Sequence, residues 1–232
     1  MDNWLDKLGI YDFWGTFFPG VVGISILYFV RVYFSSENIY AYDFKYDLVM
    51  YIVFSYLLGI ILHEIGHFIQ NRIIYGKVLS VLWKKPKMAG EPFDIFLDDN
   101  CNILSLPEKK LYLGCFKEWQ KTNEIDSSQN TEATHLFFNY CDYYVSQKGL
   151  DIKPRKMQSL YGMSRSLFVF FSLLSIMIFP YSLYCQSTKR IDYVIVLNLL
   201  IAIIFYFRMK RFNEVRLKSV MRTYIALKSV RK

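Results

Sequence analysis

The five residues His63-Glu64-Ile65-Gly66-His67 combine side-chain types and a spacing that suit metal chemistry. In a helix, His63 and His67 lie one turn apart on one face, where both can bind zinc while Glu64 polarises a water molecule. This pattern predicts an intramembrane zinc metalloprotease, with the two histidines as metal ligands and Glu64 as the general base.

The rest of the sequence offers few partners for such a metal site. Zinc enzymes use a third protein ligand, and an extended motif would place Gly and His where Gln70 and Ile73 stand. Two later apolar stretches, Leu167–Cys185 and Ile191–Phe207, contain no Asp or Glu in their interiors. We therefore favour a structural or pore-lining role, with no catalytic residue, cofactor or metal, and keep the zinc protease as the alternative.

The motif lies near the end of Leu48–Asn71, an apolar stretch long enough to cross a bilayer, which takes about 20 residues. Three more stretches reach or approach this length: Gly15–Phe34, Leu167–Cys185 and Ile191–Phe207. At about 1.5 Å per residue, Glu64 lies near the inner interface of a hydrocarbon core about 30 Å thick. Polar side chains can reach water from that depth at modest cost.

One face of Leu48–Asn71 carries small and polar residues, which suit close helix contact or the inner mouth of a pore. These residues are Ser55, Gly59, His63, Gly66, His67 and Gln70. Asn198 in the last apolar stretch is interpreted as an interhelical hydrogen-bonding group, with the lining of an aqueous path as its alternative role.

The distribution of positive charge predicts the orientation of four spans. The chain has 28 Lys and Arg against 20 Asp and Glu, a net charge of +8. Of these cations, 24 lie before the first span, between Arg72 and Arg165, or after residue 207. By the positive-inside rule, both termini and the long connection are cytoplasmic.

Two amphipathic helices are predicted in the long connection. Pro107–Thr122 begins with proline and has Glu108 in its first turn, whereas Thr131–Gln147 groups its aromatic residues on one side and ends before Gly149. A short hairpin is predicted over Val78–Leu97. The four cysteines show no Cys-x-x-Cys spacing, so we expect free thiols.

The chain after residue 207 is its most basic part. It contains nine Lys or Arg against the single acid Glu214, and its apolar residues recur at helical intervals. We predict that the fourth span continues as a long helix below the membrane. One face of this helix carries a mostly basic stripe, formed by Arg208, Arg211, Val215, Lys218 and Arg222. The basic stripe is either a surface for anionic lipids or a site for an anionic nucleotide or oligonucleotide. The predicted ligand-binding residues are Arg208, Lys210, Arg211, Arg216, Lys218 and Arg222, together with Lys84, Lys85, Lys87 and Arg165.

These elements predict an all-α membrane protein with four transmembrane helices and a small, mostly helical cytoplasmic region. Residues 1–71 form the first transmembrane hairpin and residues 72–165 the cytoplasmic helical region. Residues 166–207 form the second transmembrane hairpin, and residues 208–232 form the basic tail.

Three short motifs carry a resemblance to a known family: the aromatic entry Phe13–Gly20, the Gly-x-x-x-His-Glu-x-Gly pattern of Gly59–Gly66, and Tyr161–Ser166. With the basic tail, they make the chain similar to four-span effectors of bacterial anti-phage defence, and nearest to the channel effectors of Hailong systems. The resemblance implies a homo-oligomeric inner-membrane pore, a tetramer, that depolarises the cell. It also implies control by single-stranded DNA oligomers, which bind at a basic site around the symmetry axis. A nucleotidyltransferase encoded nearby would make these oligomers.

Overall fold

The computed structural model describes residues 13–35, 44–69, 104–125, 130–184 and 189–229. Within these ranges every regular element is helical, so the predicted all-α class is confirmed there. A π-helical turn, Phe13–Phe17, precedes the α-helices. These are α1 (Phe18–Ser35), α2 (Phe44–Ile69), α3 (Leu106–Thr122), α4 (Asn130–Gln147), α5 (Ile152–Tyr184) and α6 (Lys189–Ser229). The hairpin predicted over Val78–Leu97 lies outside the described residues.

The chain divides into two compact units. Unit 1 comprises the described residues within 1–78 and 159–209, and unit 2 those within 79–158 and 210–232. Helices α1 and α2 therefore belong to unit 1, and α3 and α4 to unit 2. Helices α5 and α6 each contribute to both.

Three of the described helices are long and apolar enough to cross a membrane, over Leu48–Ile69, Ile152–Pro180 and Tyr193–Ser229. The described apolar segment of the N-terminal helix, Phe13–Phe29, is shorter. The predicted count of four spans is therefore not confirmed. The predicted extension of the last span is confirmed, because α6 runs unbroken past residue 207 to Ser229.

Unit 1 is organised around α5, whose apolar segment is mostly buried, while those of α2 and α6 are mostly exposed. Its core consists of Leu62, Met163, Leu167, Val169, Phe170, Phe171, Leu174 and Ala202. Aliphatic residues such as Val49, Ile61 and Leu200 remain about half exposed. Such apolar outer faces suit lipid or contact with further copies better than water.

Unit 2 has an aromatic core in which Phe137 is fully buried and contacts Tyr112, Phe116 and Trp119. The ends of its helices follow the local sequence. Proline stands in the first turn of α3, as predicted, and α4 is followed by Gly149 at a φ of +68°, a left-handed conformation that favours glycine. Cys115 and Cys141 are free thiols, as expected, and Cys101 and Cys185 lie outside the described residues.

Candidate functional site

The small-residue face of α2 contacts the N-terminal helical segment at unusually short range. A Cβ atom on Gly20 would lie 1.7 Å from the carbonyl oxygen of Ser55, and one on Gly59 would lie 2.0 Å from that of Thr16. Both neighbours are backbone atoms, so no rotamer change could relieve the overlap. Glycine at these two positions is what allows the helices to approach so closely.

His63, one turn beyond Gly59, contacts α5 instead. A terminal guanidinium nitrogen of Arg165 lies 3.0 Å from His63 Nε2. Arginine carries only donors, so Nε2 accepts this hydrogen bond and the neutral imidazole holds its proton on Nδ1. The imidazole ring also lies against Gly162. The first histidine of the motif is thus engaged in a contact between helices.

Arg165 is buried, with 6% of its surface exposed. Its guanidinium carbon lies 5.6 Å from the centroid of the Tyr161 ring, a cation–π geometry, and its aliphatic stem lies against Gly66. A buried cation is tolerated where such partners surround it. The structure therefore places this predicted ligand-binding residue inside unit 1, beside the His-Glu-x-x-His motif.

A zinc ion at the motif would compete with this contact. The lone pair of His63 Nε2 that would coordinate the metal accepts a hydrogen bond from Arg165. Across the described ranges, no group of three or more His, Cys, Asp or Glu side chains is placed to hold a metal ion. A zinc site at His63 and His67 would need both a rotated Arg165 and a further ligand.

The basic end of α6 lies in unit 2, where three of its cations bond to carboxylates of α3 and α4. The pairs are Arg216 with Asp142 at 3.5 Å, Arg222 with Glu108 at 2.7 Å, and Lys228 with Glu118 at 2.5 Å. The contact of Arg222 is bidentate, since a second guanidinium nitrogen lies 3.3 Å from the other Glu108 oxygen. Two of the predicted ligand-binding residues, Arg216 and Arg222, are therefore engaged in ion pairs within unit 2.

Glu108 links this pairing to the start of α3. Its carboxylate accepts hydrogen bonds from the backbone N–H of Ser105 at 2.9 Å and from the Ser105 hydroxyl at 2.8 Å, as in a capping box. The guanidinium of Arg222, followed by these two donors, lowers the pKa of Glu108 to about 2. The same carboxylate therefore caps one helix and anchors another.

The remaining predicted residues are distributed between the two units. Arg208 is exposed in unit 1; in unit 2, Arg211 is exposed and Lys210 and Lys218 are half-buried. In unit 1, His67 is exposed, whereas Ser55 and Asn198 are buried. Gln70, Lys84, Lys85 and Lys87 lie outside the described residues.

The carboxylate partners of the tail were not predicted from the sequence. A signal for them exists, because Glu91–Asp151 has a net charge of −6 and the tail a net charge of +8. Opposite charges on two amphipathic helices indicate attraction, but they do not identify which acid meets which base. The groove that α3, α4 and α6 form beside Lys228, lined by four aromatic rings, was also not predicted.

The described residues define an all-helical protein with apolar helices long enough to cross a membrane and a second unit bound together by aromatic packing and ion pairs. No protein-family model, curated protein or solved structure matches the chain. Its function is therefore inferred from the sites described above.

Proposed function

We propose that this chain is the subunit of a homo-oligomeric channel in the bacterial inner membrane, with both termini in the cytoplasm. An anionic nucleotide or single-stranded oligonucleotide controls it, and the open pore depolarises the cell during anti-phage defence. The observation that supports this best is the continuity of α6, which passes from an apolar stretch in unit 1 to a basic stretch in unit 2. A ligand that alters the pairing of its cations acts on a helix shared by both units.

The ion pairs of α6 provide a means of control. Partly exposed ion pairs contribute only about 0–1 kcal/mol each, so phosphate groups can replace Glu108 or Asp142 at the cations with little loss of stability. Phosphate forms charge-assisted, often bidentate bonds with arginine. Arg222 retains 53% side-chain exposure while paired, so a ligand can reach it. Ligand binding gates the pore only if it favours one state of the helices over the other.

The oligomer is supported by the apolar outer faces of α2 and α6, which can contact lipid and neighbouring copies. A closed ring of four would bring the basic ends of several α6 helices to one axis, raising the local density of positive charge. A nucleotidyltransferase encoded nearby is the proposed source of the ligand, and anionic lipids are the competing partner for the same cations.

A charge exchange between Glu108 and Arg222 tests the proposal. Full-length protein in vesicles of zwitterionic lipid is assayed for ion efflux with and without a short single-stranded oligonucleotide, whose binding is measured in parallel. Arg222→Glu and Glu108→Arg each break the pair, and the double variant restores it with the charges exchanged.

We expect oligonucleotide to change the efflux of the wild-type protein. The double variant should recover only the stability that the ion pair contributes, because arginine at position 108 cannot accept the hydrogen bonds from Ser105 that cap α3. It should keep weakened oligonucleotide binding, because its cation has moved from α6 to α3. Full recovery of binding in the double variant would show that Arg222 acts only in folding. Absence of efflux in every condition would contradict the channel.

The zinc protease remains the competing prediction for His63, Glu64 and His67. Glu64→Gln keeps the size of the side chain but removes the general base. Loss of activity with normal folding and assembly, together with stoichiometric zinc in the purified protein, would favour the protease. Retained oligonucleotide-dependent efflux in Glu64→Gln would favour the channel.

A further inference from the structure

Unit 2 contains an open groove of about 580 Å³ among α3, α4 and α6. Its lining residues are Glu118, Trp119, Thr122, Asn123, Tyr140, Tyr144, Tyr224 and Lys228; we call it the aromatic groove. Its volume falls within the range of about 300–1,000 Å³ that small-molecule sites occupy. Half of its lining residues carry aromatic rings.

The rings of the groove form a connected series. The centroid of Tyr140 lies 6.2 Å from that of Trp119 and 6.3 Å from that of Tyr144, and Tyr144 lies 5.7 Å from Tyr224. Tyr224 is buried, whereas Tyr140 keeps 42% of its surface exposed. The groove therefore combines a fixed aromatic base with an accessible ring at its opening, which is the arrangement that stacks planar heterocycles.

The two charged side chains that line the groove form an ion pair, in which a phosphate could take the place of the carboxylate. The ammonium of Lys228 lies at the groove and bonds to the carboxylate of Glu118, which neutralises that acid. Lys117 and Lys121 are exposed on α3, each next in sequence to a lining residue. A planar base joined to a phosphate would meet an aromatic face and a cation together.

We propose that the aromatic groove binds the base of the controlling nucleotide or oligonucleotide, with a neighbouring phosphate replacing Glu118 at Lys228. This inference rests on the proposed function, because it assumes that the controlling ligand carries nucleobases. It adds a stacking site to the basic stripe, whose charges recognise only the phosphates. Tyr224 and Lys228 belong to α6, so an occupied groove changes the contacts of the same helix.

The test compares two labelled probes on the full-length protein in zwitterionic lipid nanodiscs: a short oligothymidylate and an abasic oligomer of equal length and charge. Each is titrated against the wild type, Tyr140→Leu, Tyr140→Phe and Tyr143→Leu. Tyr143 is the matched control because it lies on the same helix and is exposed, but does not line the aromatic groove. Thermal unfolding checks that each variant is folded.

We expect Tyr140→Leu to weaken oligothymidylate binding about 5- to 150-fold, the range for loss of one stacked base. Tyr140→Phe keeps the ring and should bind like the wild type, as should Tyr143→Leu. The abasic oligomer should bind more weakly than oligothymidylate and be insensitive to Tyr140→Leu. A mononucleotide competitor shows whether one base suffices for binding or a chain is needed. Displacement of labelled oligothymidylate by the mononucleotide or by unlabelled oligothymidylate supports the groove.

Three results would overturn the inference in distinguishable ways. Equal binding of both probes, unaffected by Tyr140→Leu, removes the groove and leaves the basic stripe and the proposed function standing. Failure of both probes to bind removes the proposed function and the groove with it. Tyr140-dependent binding of tetramethylammonium but not of oligothymidylate would instead assign the groove to organic cations.

Discussion

The contacts within unit 1 differ in kind from the contacts within unit 2. In unit 1, glycines let helix backbones approach within contact distance, and a buried arginine meets a histidine. In unit 2, aromatic rings fill the core and ion pairs join the helices at its edge. Lipid is as apolar as leucine, so apolar side chains gain little by moving from lipid into a helix contact, and close packing decides association there. In water, burying large rings is strongly favourable.

The largest effect is expected in the aromatic core of unit 2. Phe137→Ala removes a fully buried ring and should lower the free energy of opening of unit 2 by about 3–5 kcal/mol. Cys141 reports this opening, because it is buried and burial raises the pKa of its thiol to about 12. In protein whose single cysteine is Cys141, the change Phe137→Ala should accelerate labelling of that thiol at least about a hundredfold.

Leu136→Ala is the control for this change, since it alters the neighbouring residue of α4, which is half exposed. It should change labelling of Cys141 little. Equal acceleration by both variants would mean that the core of unit 2 is not centred on Phe137.

The next largest effect is expected at the helix crossing in unit 1. Gly59→Ala places a methyl group against the Thr16 backbone and should cost about 1–3 kcal/mol, the usual penalty for overpacking. Gly114→Ala is the matched control: this residue of α3 has open space around it, so alanine should stabilise α3 by up to about 1 kcal/mol. Unfolding titrations in mixed detergent measure both. Equal tolerance at the two positions would contradict the close crossing.

A smaller effect is expected from the contact between Arg165 and His63. Arg165→Met should lower the unfolding free energy of unit 1 by about 1–2 kcal/mol, because it leaves Nε2 of the half-buried His63 without this donor. A double-mutant cycle with His63→Leu should give a coupling of about 0.5–2 kcal/mol. Weakened oligonucleotide binding with unchanged stability would instead assign Arg165 to the ligand, as the sequence predicted.

The smallest effect concerns pH. Hydrogen bonds to Glu108 lower its pKa from the ordinary 4.5 to about 2. Its stabilising contribution, at most about 1 kcal/mol for a partly exposed pair, is fully present above pH 4.5 and is lost as the pH falls towards 2. In the Glu108→Gln variant, the thermal midpoint of unit 2 should fall less over this pH range than it does in the wild type. Glu132→Gln, the same change at an exposed residue of α4, should not.

The sequence alone determined that the long apolar and amphipathic segments are helical and where several of them end, but not that α5 begins as early as Ile152. Apolar runs and helical periodicity act locally, so the apolar segments of α2, α5 and α6 could be predicted, as could the extension of α6 past residue 207. Proline at the start of α3 and Gly149 after α4 acted in the same way. These features depend on backbone geometry within a few residues, so the local sequence is enough to specify them.

The partners of each side chain were decided only by the tertiary structure. The motif at His63 indicated metal ligation, yet Nε2 of His63 bonds to Arg165, which lies 102 residues away in the chain. The basic tail indicated a ligand site, yet Arg222 also bonds to Glu108, 114 residues away. Residue type specifies what a side chain can bind, whereas packing of distant helices selects the partner, because that choice depends on contacts that no local pattern encodes.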